Sequence, residues 1–138
     1  MNKTLSMVKR PTSYSNLIGF DELFDAFANR STQTSYPPYN LVKKNDDEYT
    51  ISMAVAGFSR EDISVSVEED TLVVEGTSVE DDEVNYIHRG IASRGFTRSW
   101  RLYQHLKVVE ARMENGMLYI DLKREVPEAL KPKQIEIR

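Results

Sequence analysis

The chain has 138 residues, 40% hydrophobic and 29% charged, with a formal net charge of −4; that suits one soluble domain with tails and a real core. The negative balance argues against nucleic acid as a main partner, because phosphate binding needs a concentrated basic face. No apolar run approaches the roughly 20 residues of a membrane-spanning helix, and the lack of cysteine removes disulfide and thiol chemistry and fits a cytoplasmic protein.

Residues 1–16 are polar, carry Pro11 and several Ser and Thr, and lack an apolar signal core, which predicts disorder and argues against export. In LIGFDELFDAFANR, Phe20, Leu23, Phe24 and Phe27 fall at i, i+3, i+4 and i+7, one apolar stripe on a short helix. Two readings fit that stripe: a helix docked on the domain, or a sticky segment that meets other chains. The next stretch, STQTSYPPYN, is linker-like and is expected to detach the helix from the sheet region.

From Tyr39 the periodicity becomes that of strands. Residues 40–44 and 48–55 flank the polar turn Asn45-Asp46-Asp47, and Tyr49, Ile51, Met53 and Val55 share one face. Ser59-Arg60-Glu61-Asp62 reads as a capped helical turn. Ile63, Val65 and Val67 alternate with polar residues, Glu69-Asp70 turns the chain, and Leu72 and Val74 oppose Val73 in the next run. Residues 77–95 break the rhythm, with acidic TSVEDDEV followed by YIHRGI, which has the character of a short strand. An insertion of that length between paired strands points to a functional or intermolecular role. Phe96, Arg98, Trp100 and Leu102 then alternate with Thr97, Ser99 and Arg101.

The clearest local signal is KVVEARMENGMLYIDL, residues 107–122. Val109, Ala111 and Met113 alternate with Glu110 and Arg112. Beyond Asn115-Gly116, Met117, Tyr119 and Asp121 alternate with Leu118, Ile120 and Leu122. Asn-Gly readily accepts the positive φ angles of a type I′ turn, so this is a β-hairpin and the sheet is antiparallel. Seven or eight short strands with almost no helix predict a β-sandwich. The chain ends KREVPEALKPKQIEIR, where Pro127 and Pro132 favour extended backbone. Ile135 and Ile137 are two apart and so point the same way. The 13 residues from Leu122 to Ile135 reach up to about 40 Å when extended. Such a tail suits either a last edge strand or a plug for a groove on another copy.

Little in the chain points to catalysis. His88 and His105 stand without CxxC or HExxH spacing. The acidic clusters Asp46-Asp47-Glu48, Glu68-Glu69-Asp70 and 80–83 lack the ligand alternation of an EF-hand and read as solvated turns. Gly57, Gly76, Gly90 and Gly95 are scattered singly, so there is no phosphate loop, and Trp100 on an alternating strand reads as core. No catalytic, cofactor-binding or metal-binding residue is expected, and the chain is not expected to be an enzyme.

AVAGFSREDISVSVEEDTLVVEG, YIHRGIASRGFTRSWRL, the ENGMLYIDL hairpin and the VPEALKPKQIEI tail, in that order and spacing, resemble the small heat-shock proteins of the α-crystallin type, and within them the bacterial inclusion-body-binding subgroup. The resemblance covers about 36–138, with an echo in FDELFDAF. It implies an all-β, immunoglobulin-like sandwich over 36–126, behind an N-terminal arm over 1–35 with its short amphipathic helix and ahead of an extended tail over 127–138. The implied activity is that of an ATP-independent chaperone, which binds unfolding client proteins, suppresses aggregation and hands them over to ATP-driven chaperones. The implied assembly is a homodimer building larger oligomers. Family position puts the tail motif at Ile135 and Ile137 and its groove between Ile63, Val65 and Val67 on one strand and Val109, Ala111 and Met113 on another. A loop strand over 85–91, with Tyr86, Ile87, His88 and Arg89, would pair with the partner subunit, and Arg94 would meet acidic groups across the dimer. Clients would meet Phe20, Leu23, Phe24 and Phe27. Two other readings fit the same sandwich: a co-chaperone adaptor docking on one defined partner, or a passive structural oligomer.

Overall fold

The computed structural model of the chain describes residues 17–28, 36–78, 81, 83–91 and 94–138, with the side chains of Phe27 and Ala28 left out. The disorder expected for 1–16, part of the linker and the Phe27 position of the stripe lie outside the described residues.

The described chain is built from β1 (Leu17–Ile18), α1 (Asp21–Ala28), β2 (Tyr39–Asn45), β3 (Glu48–Ala54), β4 (Ile63–Glu68), β5 (Thr71–Gly76), β6 (Phe96–Leu102), β7 (Leu106–Glu114) and β8 (Met117–Arg124), with single 3-10 turns at Arg60–Asp62 and Glu128–Leu130. The strands form two four-stranded sheets, β1-β6-β5-β4 and β2-β3-β8-β7. All pairings are antiparallel except that of β1 with β6. The expected sandwich is the fold, and its eighth strand is the two-residue β1.

The core lies between the two sheets, because each strand turns one set of alternating apolar residues inward. From β3 come Tyr49, Ile51 and Met53, from β5 Leu72 and Val74, from β6 Trp100 and Leu102, and from β8 Leu118, Ile120 and Leu122. Truncating any of the larger of these to Ala costs about 2–5 kcal/mol by lost burial and the cavity left behind. Arg98 shares the inward parity of Trp100 and is half-buried. Its guanidinium lies 4.4 Å from the Tyr39 ring and 5.8 Å from that of Trp100, and burial holds its pKa below the usual arginine value.

Two local expectations hold in detail. Asn115 and Gly116 have φ of 53° and 79°, so a two-residue turn closes the hairpin between Glu114 and Met117. Asp62 caps the turn it ends: the Ser59 N–H and Oγ donate to its Oδ2 at 3.0 and 2.8 Å.

Two others are corrected. The register of β7 on β8 shifts between Val108 and Glu110, so Val109 and Glu110 together face Asp121. This β-bulge flips the inward parity from Leu106 and Val108 to Ala111 and Met113. Val109 is left 61% exposed instead of sharing their face. The N-terminal helix is also not detached. Ile18 is fully buried, the Tyr103 N–H donates to its carbonyl at 2.8 Å, and Phe24 packs on the core. A buried strand residue three positions before α1 fixes the helix to the sheet whatever the linker does.

Candidate functional site

β4 and β7 are the outer strands of opposite sheets, and a cavity of about 300 Å³ opens between them. Ile63 and Val65 wall it from β4, Ala111 and Met113 from β7, and Leu118 of β8 joins them. Four of the six residues expected to line a tail groove are therefore brought together. Val67 lies toward the far end of β4, 46% exposed and off the cavity, and Val109 is turned away by the bulge. Three lining residues were missed, Arg60, Arg112 and Leu118. Leu118 was foreseeable, since it shares the buried parity of Ile120 and Leu122. Arg60 leaves no periodic signal, because it stands on a turn.

The two arginines differ in their surroundings. Arg112 donates to Asp121 Oδ2 at 2.8 Å, has Glu110 at 3.7 Å and lies 4.8 Å from the Tyr119 ring centroid. Asp121 also accepts from Thr50 Oγ1 at 2.7 Å. Burial raises the pKa of that carboxyl, but the Thr50 and Arg112 hydrogen bonds outweigh it and hold it below the usual range. Arg60 is exposed, and among the described residues its side chain makes no ion pair.

The end of the tail is exposed. Ile135 is 84% exposed and Ile137 94%, after the single turn at Glu128–Leu130. Along the inserted segment, Tyr86, Ile87, His88 and Arg89 are all exposed. Residues 83–91 form no strand within this chain, contrary to the strand character of YIHRGI. A strand needs a ladder partner, and β6 already has β1 on one side and β5 on the other. Arg94 lies 4.3 Å from the Tyr36 ring centroid, and among the described residues it makes no ion pair.

The described residues of the helix stripe, Phe20, Leu23 and Phe24, meet the domain. Phe20 meets the Tyr103 ring edge-on at 5.3 Å, Leu23 is half-covered and Phe24 packs on the core. A polar clasp holds this arrangement. Asp21 Oδ2 lies 2.6 Å from Lys43 Nζ, and Asp21 Oδ1 accepts from the Tyr49 hydroxyl at 2.7 Å. The Lys43 hydrogen bond holds the Asp21 carboxyl below its ordinary pKa against the opposing effect of burial, with Tyr49 adding to it. The Arg124 guanidinium donates to the carbonyls of Gly19 at 3.2 Å and Asp46 at 2.9 Å, tying the segment before α1 to the β2–β3 turn.

The cavity combines apolar walls with two arginine side chains. Among the described residues no three His, Cys, Asp or Glu side chains gather where they could hold a metal ion, and no helix is long and apolar enough to cross a membrane.

A profile of the Hsp20/alpha crystallin family matches residues 41–138. The small heat shock protein HspD of Bradyrhizobium diazoefficiens is 46% identical over 122 residues, covering 87% of this chain and 81% of its own. The small heat shock protein IbpA of Pectobacterium carotovorum is 42% identical over 128 residues, covering 91% and 93%. Among solved structures, a small heat shock protein from Synechococcus phage S-ShM2 superposes with a TM-score of 0.59 at 36% identity, covering 75% of this chain and all of that one. C-terminally truncated AgsA from Salmonella typhimurium gives 0.61 at 31% identity with the same coverage.

Proposed function

The chain belongs to the Hsp20/alpha crystallin family and is a small heat-shock chaperone, and from that premise we propose that it is an ATP-independent holdase of the cytoplasm. It binds unfolding clients through apolar surface, keeps them from aggregating and leaves them refoldable by ATP-driven chaperones. It works as homodimers that assemble further. In the dimer the exposed segment over 85–91 adds a strand to the partner's sheet, which satisfies backbone groups that have no ladder within one chain, while Arg94 turns to acidic groups of the partner. Beyond the dimer, Ile135 and Ile137 of one copy enter the groove of another between β4 and β7. The stripe Phe20, Leu23, Phe24 and Phe27 meets clients when the helix leaves the domain.

The observation that carries this reading is the pairing, in one molecule, of a tail with two outward isoleucines and a cavity walled by Ile63, Val65, Ala111 and Met113. Fully burying two isoleucines stabilises by roughly 3–6 kcal/mol at most, less the entropy of ordering a free tail. Each contact is therefore weak and reversible, and many together hold an assembly through effective concentration. An assembly held this way can release subunits and expose apolar surface as temperature rises. No observation favours the adaptor or passive-oligomer readings.

The test is light scattering of a heat-denaturing model enzyme with and without the protein, in the absence of ATP, with particle size recorded in the same run. Suppressed scattering with large, temperature-sensitive particles is expected. A small particle of fixed size that leaves scattering unchanged would overturn the holdase reading.

A further inference from the structure

We propose that Arg60 reads Glu136, so that entry of a tail into the groove of a second copy is steered by charge as well as by apolar fit. This rests on the tail-in-groove reading above and goes beyond it, since two isoleucines alone would fit any apolar slot of the right width.

The groove is apolar along its walls and cationic where Arg60 and Arg112 reach it. Arg112 is already committed to Asp121, Glu110 and the Tyr119 ring, so its charge is largely answered within its own chain. Arg60 is exposed and, among the described residues, without an ion pair. It is also held in place: the turn Arg60–Asp62 leads directly into Ile63, the first wall residue of β4, and the capping bonds between Ser59 and Asp62 fix the turn's start.

On the tail, the only carboxylate between the two isoleucines is Glu136. In extended backbone its side chain leaves on the face opposite Ile135 and Ile137. When the isoleucines face the walls, Glu136 therefore stands at the mouth of the groove, where its flexible stem lets the carboxylate turn to a cation on the rim. The nearer charged side chains of the tail, Lys133 and Arg138, have the same sign as Arg60 and disfavour other registers. An exposed pair of this kind adds little per contact, but it acts at every tail of an assembly and selects one register of docking.

The experiment measures the concentration at which full-length particles dissociate, by light scattering on dilution, for Glu136→Arg, Arg60→Glu, the double variant Arg60→Glu/Glu136→Arg and Ile135→Ala/Ile137→Ala. Each single charge reversal should raise the dissociation concentration by about three- to tenfold. The double variant should return to within about twofold of the parent, and the single-variant deficits should fade at about 1 M salt, where the screening length shrinks to about 3 Å. If the double isoleucine variant dissociates while Glu136→Arg matches the parent, the charge inference is overturned and the tail reading stands. A double charge variant no better than either single one removes Arg60 as the partner. Unchanged assembly of Ile135→Ala/Ile137→Ala overturns the tail reading and the inference with it.

Discussion

The two ends of the chain carry similar apolar signals and meet opposite fates. At the N-terminal end, Ile18 is fully enclosed, Phe24 packs on the core and Phe20 lies against Tyr103. At the C-terminal end, Ile135 and Ile137 keep most of their surface in solvent. Hydrophobicity does not separate them. The N-terminal segment has a backbone ladder on β6, an arginine on the Gly19 carbonyl and a carboxylate set between Lys43 and Tyr49. The tail has two prolines and a run of exposed charged residues. Polar anchors decide which apolar segment folds onto its own domain and which stays available to another.

The strongest way to break this contrast is to truncate one isoleucine at each end. Ile18→Ala should lower the unfolding free energy in urea by about 2–5 kcal/mol, because a fully enclosed side chain leaves a cavity. Ile137→Ala should leave monomer-level unfolding within about 0.5 kcal/mol of the parent, as surface substitutions do, and act on assembly alone. Equal losses at both ends would mean that the tail too is part of the fold. A middle-sized effect is expected from Arg124→Ala, which strips the Gly19 and Asp46 carbonyls of a charged donor. A loss of about 1–3 kcal/mol should follow, with amide exchange rising first around Gly19 and α1 and only later in β3 and β8. Uniform acceleration across the sandwich would show that Arg124 supports the core rather than the N-terminal segment.

The smallest effect concerns pH. The Asp21 carboxyl has a folded pKa below its ordinary value. Its contribution is therefore present above the unfolded carboxylate pKa, near 4, and is lost as pH falls through the lower folded value. Both Asp21 and Lys43 are about half exposed, so solvent screens the pair. Acidification from about pH 5 to about pH 3 should loosen α1 in amide exchange, corrected for intrinsic rates, ahead of global unfolding. Asp21→Asn should remove that pH step. Persistence of the step in the variant would assign it elsewhere, with Asp121 the next candidate because its carboxyl is lowered as well.

How much of the fold and the groove was legible depends on how local each cause is. The Asn115-Gly116 hairpin and the inward face of Tyr49, Ile51 and Met53 arise from residues beside one another, and they are as the pattern reads. The Val109 bulge was not legible: Val108-Val109 is apolar at both positions, and only the pairing with Leu122 decides which points inward. Nor was β1, because two residues carry no periodicity and their partner on β6 lies more than eighty positions away. The groove was half legible. Its apolar walls alternate along strands, whereas Arg60 reaches it from a turn.

Both outer strands of the β2-β3-β8-β7 sheet are interrupted in register, β2 between Lys43 and Asn45 and β7 between Val108 and Glu110. A misfolding chain extends itself by laying strand upon strand along an even row of amides and carbonyls. On this sheet no such row runs uninterrupted at either border. A protein whose work is among aggregating chains thus carries edges that are poor seeds, and it can hold sticky neighbours without becoming the template on which they grow.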